Sequence, residues 1–143
     1  MPSSPSTAPH PHLLPAIAAG GVVGSLGRYA VGLALPHGAA GFPWGTVLVN
    51  LSGSFAMGLL VAWLVVRPGT HPLARPFLGV GVLGGWTTYS AFAVDVVHLA
   101  SGSREQAALA YVTATFLLGV LLVGAGTALG ARLWPDEPSE PES

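Results

Sequence analysis

Residues 79–92, Gly-Val-Gly-Val-Leu-Gly-Gly-Trp-Thr-Thr-Tyr-Ser-Ala-Phe, combine an apolar run with features that weaken a helix. Four glycines are poor helix formers, and two threonines follow them closely. A helix break inside a bilayer is tolerated only where the protein satisfies the freed backbone groups. We therefore predict a membrane-spanning helix that is broken near mid-membrane. Carbonyls that turn inward at such a break can hold a cation.

Apolar runs of this kind make up most of the chain. A bilayer core about 30 Å thick needs about 20 helical residues to cross it. Runs of sufficient length, each with at most one charged residue, cover Leu13–Leu35, Trp44–Val66, Phe77–Leu99 and Ala107–Leu133. Turn and helix-stop compositions separate them at 36–38, 67–72 and 101–105. The sequence therefore predicts an all-α membrane protein with four transmembrane helices.

The composition excludes several classes of protein. Charged residues make up 8% of the 143 positions, against about 25% in soluble domains, and lysine is absent. A net charge of −1 gives no basic field for nucleic acid, and the absence of cysteine excludes disulfides and thiolate chemistry. We predict a disordered polar tail over 1–12, a transmembrane domain over 13–133 and an acidic disordered tail over 134–143.

The arginines give only a weak indication of topology. Arg67, Arg75 and Arg132 fall on the side of the amino terminus, whereas Arg104 and Arg28 fall on the other side. Three against two is a small bias under the positive-inside rule. Either the short loops hide a single orientation, or both orientations insert and the protein forms an antiparallel dimer.

Small residues recur at helical spacing and predict close helix packing. The pairs are Gly20 and Gly24, Gly81 and Gly85, and Gly126 and Gly130. Such small-xxx-small pairs let helix backbones approach each other, but they indicate no function by themselves. Four helices make a thin pore wall, so a conduit for a polar solute would need a second subunit.

Asn50 is a candidate for an uncharged anion-binding group. It lies seven residues after Pro43, about 10 Å into its helix at 1.5 Å per residue. Its amide offers two N–H donors, and Thr46 and Ser54 lie one turn away on the same face. The row of donors is typical of a path for a small anion, although an interhelical hydrogen bond would also explain Asn50.

Aromatic and charged residues extend this pattern in the other spans. Tyr89 and Phe92 share a face, and the positive edges of their rings can attract an anion without a fixed charge. Asp95 follows one turn later, and because its carboxylate would repel an anion we expect it to be paired or in a wet vestibule. Arg28 lies towards the end of the first span, where either a structural role or ion contact is consistent with its position.

Three motifs together resemble the small bacterial fluoride channels of the CrcB or Fluc family. They are Gly20-Gly21-x-x-Gly24-x-x-x-Arg28-Tyr29, Gly45-Thr46-x-x-Val49-Asn50-x-x-Gly53-Ser54-Phe55 and Gly84-Gly85-x-Thr87-Thr88-Tyr89-Ser90-x-Phe92. The first motif alone is weak, whereas the second and third together are highly specific. The resemblance covers roughly residues 16–130.

The resemblance implies a four-span subunit that pairs antiparallel with a second one in the bacterial plasma membrane. The two pores of this dimer would export cytoplasmic fluoride by passive electrodiffusion. A structural sodium ion would lie at the dimer centre, held by the backbone carbonyls of Gly84 and Thr87. Asn50 would orient the anion or donate to it, and Tyr89 and Phe92 would line the pore.

The resemblance also implies roles for the remaining polar residues. Tyr111 and Thr115, four residues apart, match the polar track of the fourth helix, and Thr88 and Ser90 supply nearby hydroxyls. The family usually has Phe where this chain has Tyr89, and the added hydroxyl leaves a heterodimer with a paralogue open beside the homodimer. Asp95 stands where the family commonly carries an acid.

Three other functions compete with a channel. A small proton-coupled multidrug antiporter also has four spans, but it needs a carboxylate in its first span, and no acidic residue precedes Asp95. A scaffold without transport activity would leave Asn50 and the aromatic pair without a purpose. An enzyme is not expected, because the spans contain no nucleophile paired with a base.

Overall fold

The computed structural model describes residues 11–38, 41–67 and 69–135, and the described part is helical. Helix α1 covers Leu13–Ala34, α2 covers Trp44–Val66, a π-helical segment π1 covers Pro76–Leu83, α3 covers Gly84–Trp86, α4 covers Tyr89–Ser101 and α5 covers Glu105–Leu133. Most of the predicted tails, 1–10 and 136–143, lie outside the described residues.

The prediction of four membrane spans is confirmed. Helices α1, α2 and α5 and the composite span Pro76–Ser101 are long and apolar enough to cross a bilayer. The first span ends one residue earlier than predicted, at Ala34, because a residue before proline is disfavoured in helical conformation. The fourth begins two residues earlier, at Glu105, since an acidic side chain in the first turn interacts favourably with the helix dipole.

Glycines allow the spans to pack as two close pairs. On α1, a Cβ atom added at Gly24 would lie 2.7 Å from the Trp86 nitrogen, so only glycine fits against α3. On α5, a Cβ added at Gly126 would lie 3.0 Å from the Leu59 nitrogen of α2. From Gly20 to Gly24 on α1, the neighbour on the third span changes from Gly81 to Trp86, so these two spans run parallel. From Gly126 to Gly130 on α5, the neighbour on α2 changes from Leu59 to Ala62, so α2 and α5 also run parallel. The predicted small-residue pairs therefore lie at the helix contacts.

The third span changes its packing partner part-way along. Segment π1 and α3 pack mainly on α1, whereas α4 packs on α5. Between them, Thr87 has φ −77° and ψ 160°, and Thr88 has φ −149° and ψ 124°, both extended rather than helical. These two extended residues redirect the chain from one helix pair to the other.

The first half of this span is wound as a π-helix. The Gly84 N–H donates to the Gly79 carbonyl, five residues earlier, in the pattern that defines this winding. The π winding includes Gly79 and Gly81, whereas Gly84 and Gly85 lie in the α-helical turn α3.

The outer surface is strongly apolar. On α5, Leu117 and Leu121, one turn apart, are 61% and 66% exposed. A contiguous apolar face of this kind suits the hydrocarbon of a bilayer, where no water is present to compete. The chain is a multi-pass membrane protein.

Candidate functional site

The side chain of Asn50 bridges α2 to the extended residues of the third span. Its Nδ2 donates to the Thr88 carbonyl at 3.0 Å, and its Oδ1 accepts from the Thr88 N–H at 2.8 Å. The second bond satisfies the N–H that the interrupted helix leaves open, and the first adds to the helical bond that the carbonyl of an N-cap residue already accepts. One amide N–H of Asn50 remains beyond this pair of bonds, because the amide carries two donors.

Thr88 also begins the next helix. Its Oγ1 accepts from the Ala91 N–H at 3.2 Å, which is the geometry of a side-chain N-cap. The Ser90 hydroxyl lies 3.3 Å from the same oxygen. Thr88 is thus fixed through its backbone by Asn50 and through its hydroxyl by α4.

A groove of about 430 Å³, open on the side of the exposed residues Tyr89 and Val120 and here called the inner cavity, brings together several of the predicted pathway residues. Asn50, Thr88, Tyr89, Phe92 and Thr115 line it, together with Ser54, Thr87, Phe116, Gly119, Val120 and Val123. Its lining therefore combines an amide, hydroxyls and aromatic rings, and it includes no charged residue. Such a surface offers an anion several weak partners and no ion-pairing group.

The two predicted aromatic residues differ in their surroundings. Phe92 is 7% exposed and its ring centre lies 5.0 Å from that of Tyr111 and 5.9 Å from that of Phe116, edge to face with the latter. Tyr89 is 78% exposed, with its ring centre 6.2 Å from that of Phe92. Packing fixes the Phe92 ring at the cavity wall, whereas most of the Tyr89 surface has no neighbour within this chain.

Asp95 is buried and paired, one of the two environments expected for it. Its Oδ2 accepts from the Thr46 hydroxyl at 2.7 Å and from the Tyr111 hydroxyl at 3.5 Å. Its Oδ1 lies 3.7 Å from His37 Nε2. Two hydroxyls of the predicted polar row, those of Thr46 and Tyr111, therefore point to this carboxylate and not to the inner cavity.

A second cavity of about 570 Å³, the outer cavity, lies between α1 and the start of α2. Arg28, His37, Thr46 and Thr88 are among its lining residues. Thr88 is a lining residue of both cavities. Arg28 also donates from Nε to the Gly85 carbonyl at 2.9 Å, which gives it a structural contact beside the break.

At the break, two backbone carbonyls lose the N–H groups that would donate to them in a continuous helix. The Thr88 N–H, which in a continuous helix would donate to the Gly84 carbonyl, donates to Asn50. The Ala91 N–H, which would donate to the Thr87 carbonyl, donates to Thr88 Oγ1. Gly84 and Thr87 are the residues expected to coordinate sodium. Among the described residues, no group of three or more His, Asp or Glu side chains could hold a metal.

Two contacts at the site were not predicted from the sequence. The Trp86 indole N–H donates to the Ser52 hydroxyl at 2.9 Å, which adds a third hydrogen bond between α2 and residues 86–88. His37 approaches Asp95 from the segment between α1 and α2. A serine and an indole on different spans, or a histidine in a loop, carry no spacing signal that would pair them.

Comparison with protein families identifies the chain. Residues 15–127 match the model of the family described as CrcB-like protein, Camphor Resistance (CrcB). The chain belongs to the CrcB family. The resemblance drawn from the three motifs is thereby confirmed.

Several CrcB relatives carry a functional name. A protein of Rhizobium meliloti (strain 1021) named fluoride-specific ion channel FluC is 45% identical over 114 residues, which cover 79% of this chain and 91% of the relative. A protein of the same name from Rhodospirillum centenum is 48% identical over 121 residues, covering 80% and 91%. Fluoride-specific ion channel FluC 2 of Thermobifida fusca is 43% identical, covering 85% and 90%. These similarities favour a channel over the antiporter considered above.

Proposed function

We propose that this chain is a fluoride-selective channel that lets cytoplasmic fluoride leave the cell by passive electrodiffusion across the bacterial plasma membrane. The main support for this proposal is the lining of the inner cavity, which includes Asn50, Phe92 and Thr115 and contains no charged side chain. The CrcB relatives named as fluoride-specific channels support the same assignment.

The chemistry of the lining suits fluoride. Fluoride is small and strongly hydrated, so a pore must replace the hydrogen bonds of water. The remaining N–H of Asn50 and the hydroxyl of Thr115 are neutral donors, and the edge of the Phe92 ring is weakly positive. Conduction requires sites that are weak and multiple, and a lysine or arginine in the narrow part would hold the anion too tightly.

The pore is completed by a second, antiparallel copy of the chain, giving a dimer with two pores. Tyr89 lines the inner cavity but is 78% exposed, so one wall of the cavity is missing in a single chain. The nearly balanced arginines of the two sides agree with insertion in both orientations. A homodimer is the simplest form, and a paralogous partner would use the same face.

A structural sodium ion fits the break at the dimer centre. The carbonyls of Gly84 and Thr87, whose helical partners are diverted, would hold it together with their counterparts in the second copy. Bound there, the cation supplies positive charge to the paired helix breaks. Asn50 and Thr88 keep the two carbonyls out of helical geometry.

Electrogenic efflux from liposomes tests the proposal. The purified chain alone is reconstituted into liposomes loaded with potassium fluoride, and a potassium ionophore starts efflux, which a fluoride electrode follows. We expect rapid fluoride release with protein and little without it, and no release when chloride replaces fluoride. Fluoride release equal to that of protein-free liposomes would contradict the proposal. A bacterial strain without the gene should be sensitive to fluoride.

A further inference from the structure

His37 is a titratable group beside the outer cavity, and none of the roles above uses it. It lies in the segment between α1 and α2, and its Nε2 is 3.7 Å from Asp95 Oδ1. The carboxylate is 7% exposed, whereas the imidazole is 29% exposed and lines the outer cavity. A proton can therefore reach His37 from water, and its charge would act on a carboxylate that water barely reaches.

The other groups around Asp95 do not change charge in the same way. From α2, Thr46 donates a neutral hydroxyl, and from α5, Tyr111 does the same. From α1, Arg28 lines the outer cavity and carries a permanent charge. On α4 itself, His98 lies one turn beyond Asp95 and is exposed, and among the described residues it forms no ion pair with Asp95.

We infer that His37 is a proton-operated control of fluoride entry at the outer cavity, an inference that depends on the proposed channel function. With neutral His37, the negative charge of Asp95 repels an anion that approaches the break through this cavity. With protonated His37, the imidazolium offsets that charge from 3.7 Å away. Histidine is the side chain whose charge ordinarily changes between pH 5 and 8, so fluoride flux rises as the outer cavity is acidified.

The charge of the imidazolium sets the direction of the expected change in fluoride current, and the exposure of His37 sets its size. The pair is close, but His37 is partly hydrated, which weakens its action on the carboxylate. We expect a rise in fluoride current of about threefold between about pH 8 and about pH 5, within the range of partly exposed ion pairs.

Single-channel or macroscopic currents in planar bilayers test this directly. Current is the correct readout because neutral HF, which forms at low pH, crosses bilayers without carrying charge. The wild-type chain is compared with His37→Gln, which keeps a polar side chain but cannot be protonated in this range. His98→Gln is the matched control, since it removes a histidine from α4 that does not contact Asp95.

We expect His37→Gln to lose the rise at low pH and His98→Gln to keep it. His37→Arg, permanently charged, should carry the acid-level current at every pH. Since the proposed dimer is antiparallel, its two copies of His37 face opposite sides, and acidifying one side should give a smaller rise than acidifying both.

Fluoride current that is independent of pH, or a rise that survives in His37→Gln, would overturn the inference and leave the channel function intact. Absence of fluoride current at every pH in the wild type would instead overturn the channel function. The two failures are therefore distinguishable in one set of recordings.

Discussion

Replacing Asn50 separates its structural contribution from its contribution to fluoride passage. Asn50→Ala removes both hydrogen bonds to the Thr88 backbone, at 3.0 and 2.8 Å, and leaves the Thr88 N–H without its partner. Interhelical hydrogen bonds in membranes contribute about 0.6 kcal/mol on average and up to about 1.7 kcal/mol each, so we expect a loss of about 2 kcal/mol. Removal of the free N–H donor should also lower fluoride flux at least about tenfold.

Asn50→Asp adds a charge at the same position. Its carboxylate still accepts from the Thr88 N–H, but it sets a second oxygen against the Thr88 carbonyl to which the amide donates at 3.0 Å, so it should lose about as much stability as the alanine variant. The added charge faces the inner cavity, however, where repulsion of an anion at about 4 Å amounts to about 4 kcal/mol at an effective dielectric constant of 20. Flux should therefore fall more than about a hundredfold, below that of Asn50→Ala.

The assay pairs thermal stability of the purified dimer in detergent with fluoride efflux from liposomes. Ser54→Ala is the control for stability, because the Ser54 hydroxyl donates only to the Asn50 carbonyl of its own helix. If Asn50→Asp conducted fluoride as well as Asn50→Ala, the side chain at position 50 would not face the ion path, and the reasoning would be refuted.

The remaining predictions concern packing, the aromatic wall and the cation. Gly24→Ala should lower stability by about 1–3 kcal/mol, since its Cβ would lie 2.7 Å from the Trp86 nitrogen, whereas Gly21→Ala, with nothing within 4 Å, should be neutral in a thermal melt. Phe92→Leu should reduce fluoride efflux about tenfold or more, because it removes the ring edge, and it should leave the dimer intact on size exclusion. The control Phe77→Leu, on the same span, should conduct normally. Equal fluoride flux in the two variants would contradict a role for the Phe92 ring. Purification with N-methylglucamine in place of sodium should lower the melting temperature of the dimer, and return of sodium should restore it; an unchanged melt would exclude a structural cation.

The spans could be predicted from sequence because the bilayer imposes length and apolarity on each helix separately. Trp44–Val66 was predicted to the residue. The close approach at Gly24 and Gly126 was also predictable, since small residues at helical spacing are the signal for it. Extra residues at the ends of the third and fourth spans were missed because polar residues also form helix ends.

The partners of individual polar side chains could be predicted only in part. Asn50 lines the inner cavity, and its two hydrogen bonds to Thr88 depend on how α2 meets the third span. Thr46 shares a helix face with Asn50, yet its hydroxyl turns to Asp95. Such choices are set by tertiary packing between spans, for which a single sequence carries no periodic signal.

The ion selectivity of the reconstituted chain tests the central claim most directly. With fluoride on one side of a planar bilayer and chloride on the other, the reversal potential reports which anion carries the current. The uncharged lining of the inner cavity, with Asn50 and Phe92, predicts a potential set by fluoride alone. A reversal potential near zero in this gradient, or one set by chloride, would contradict the account.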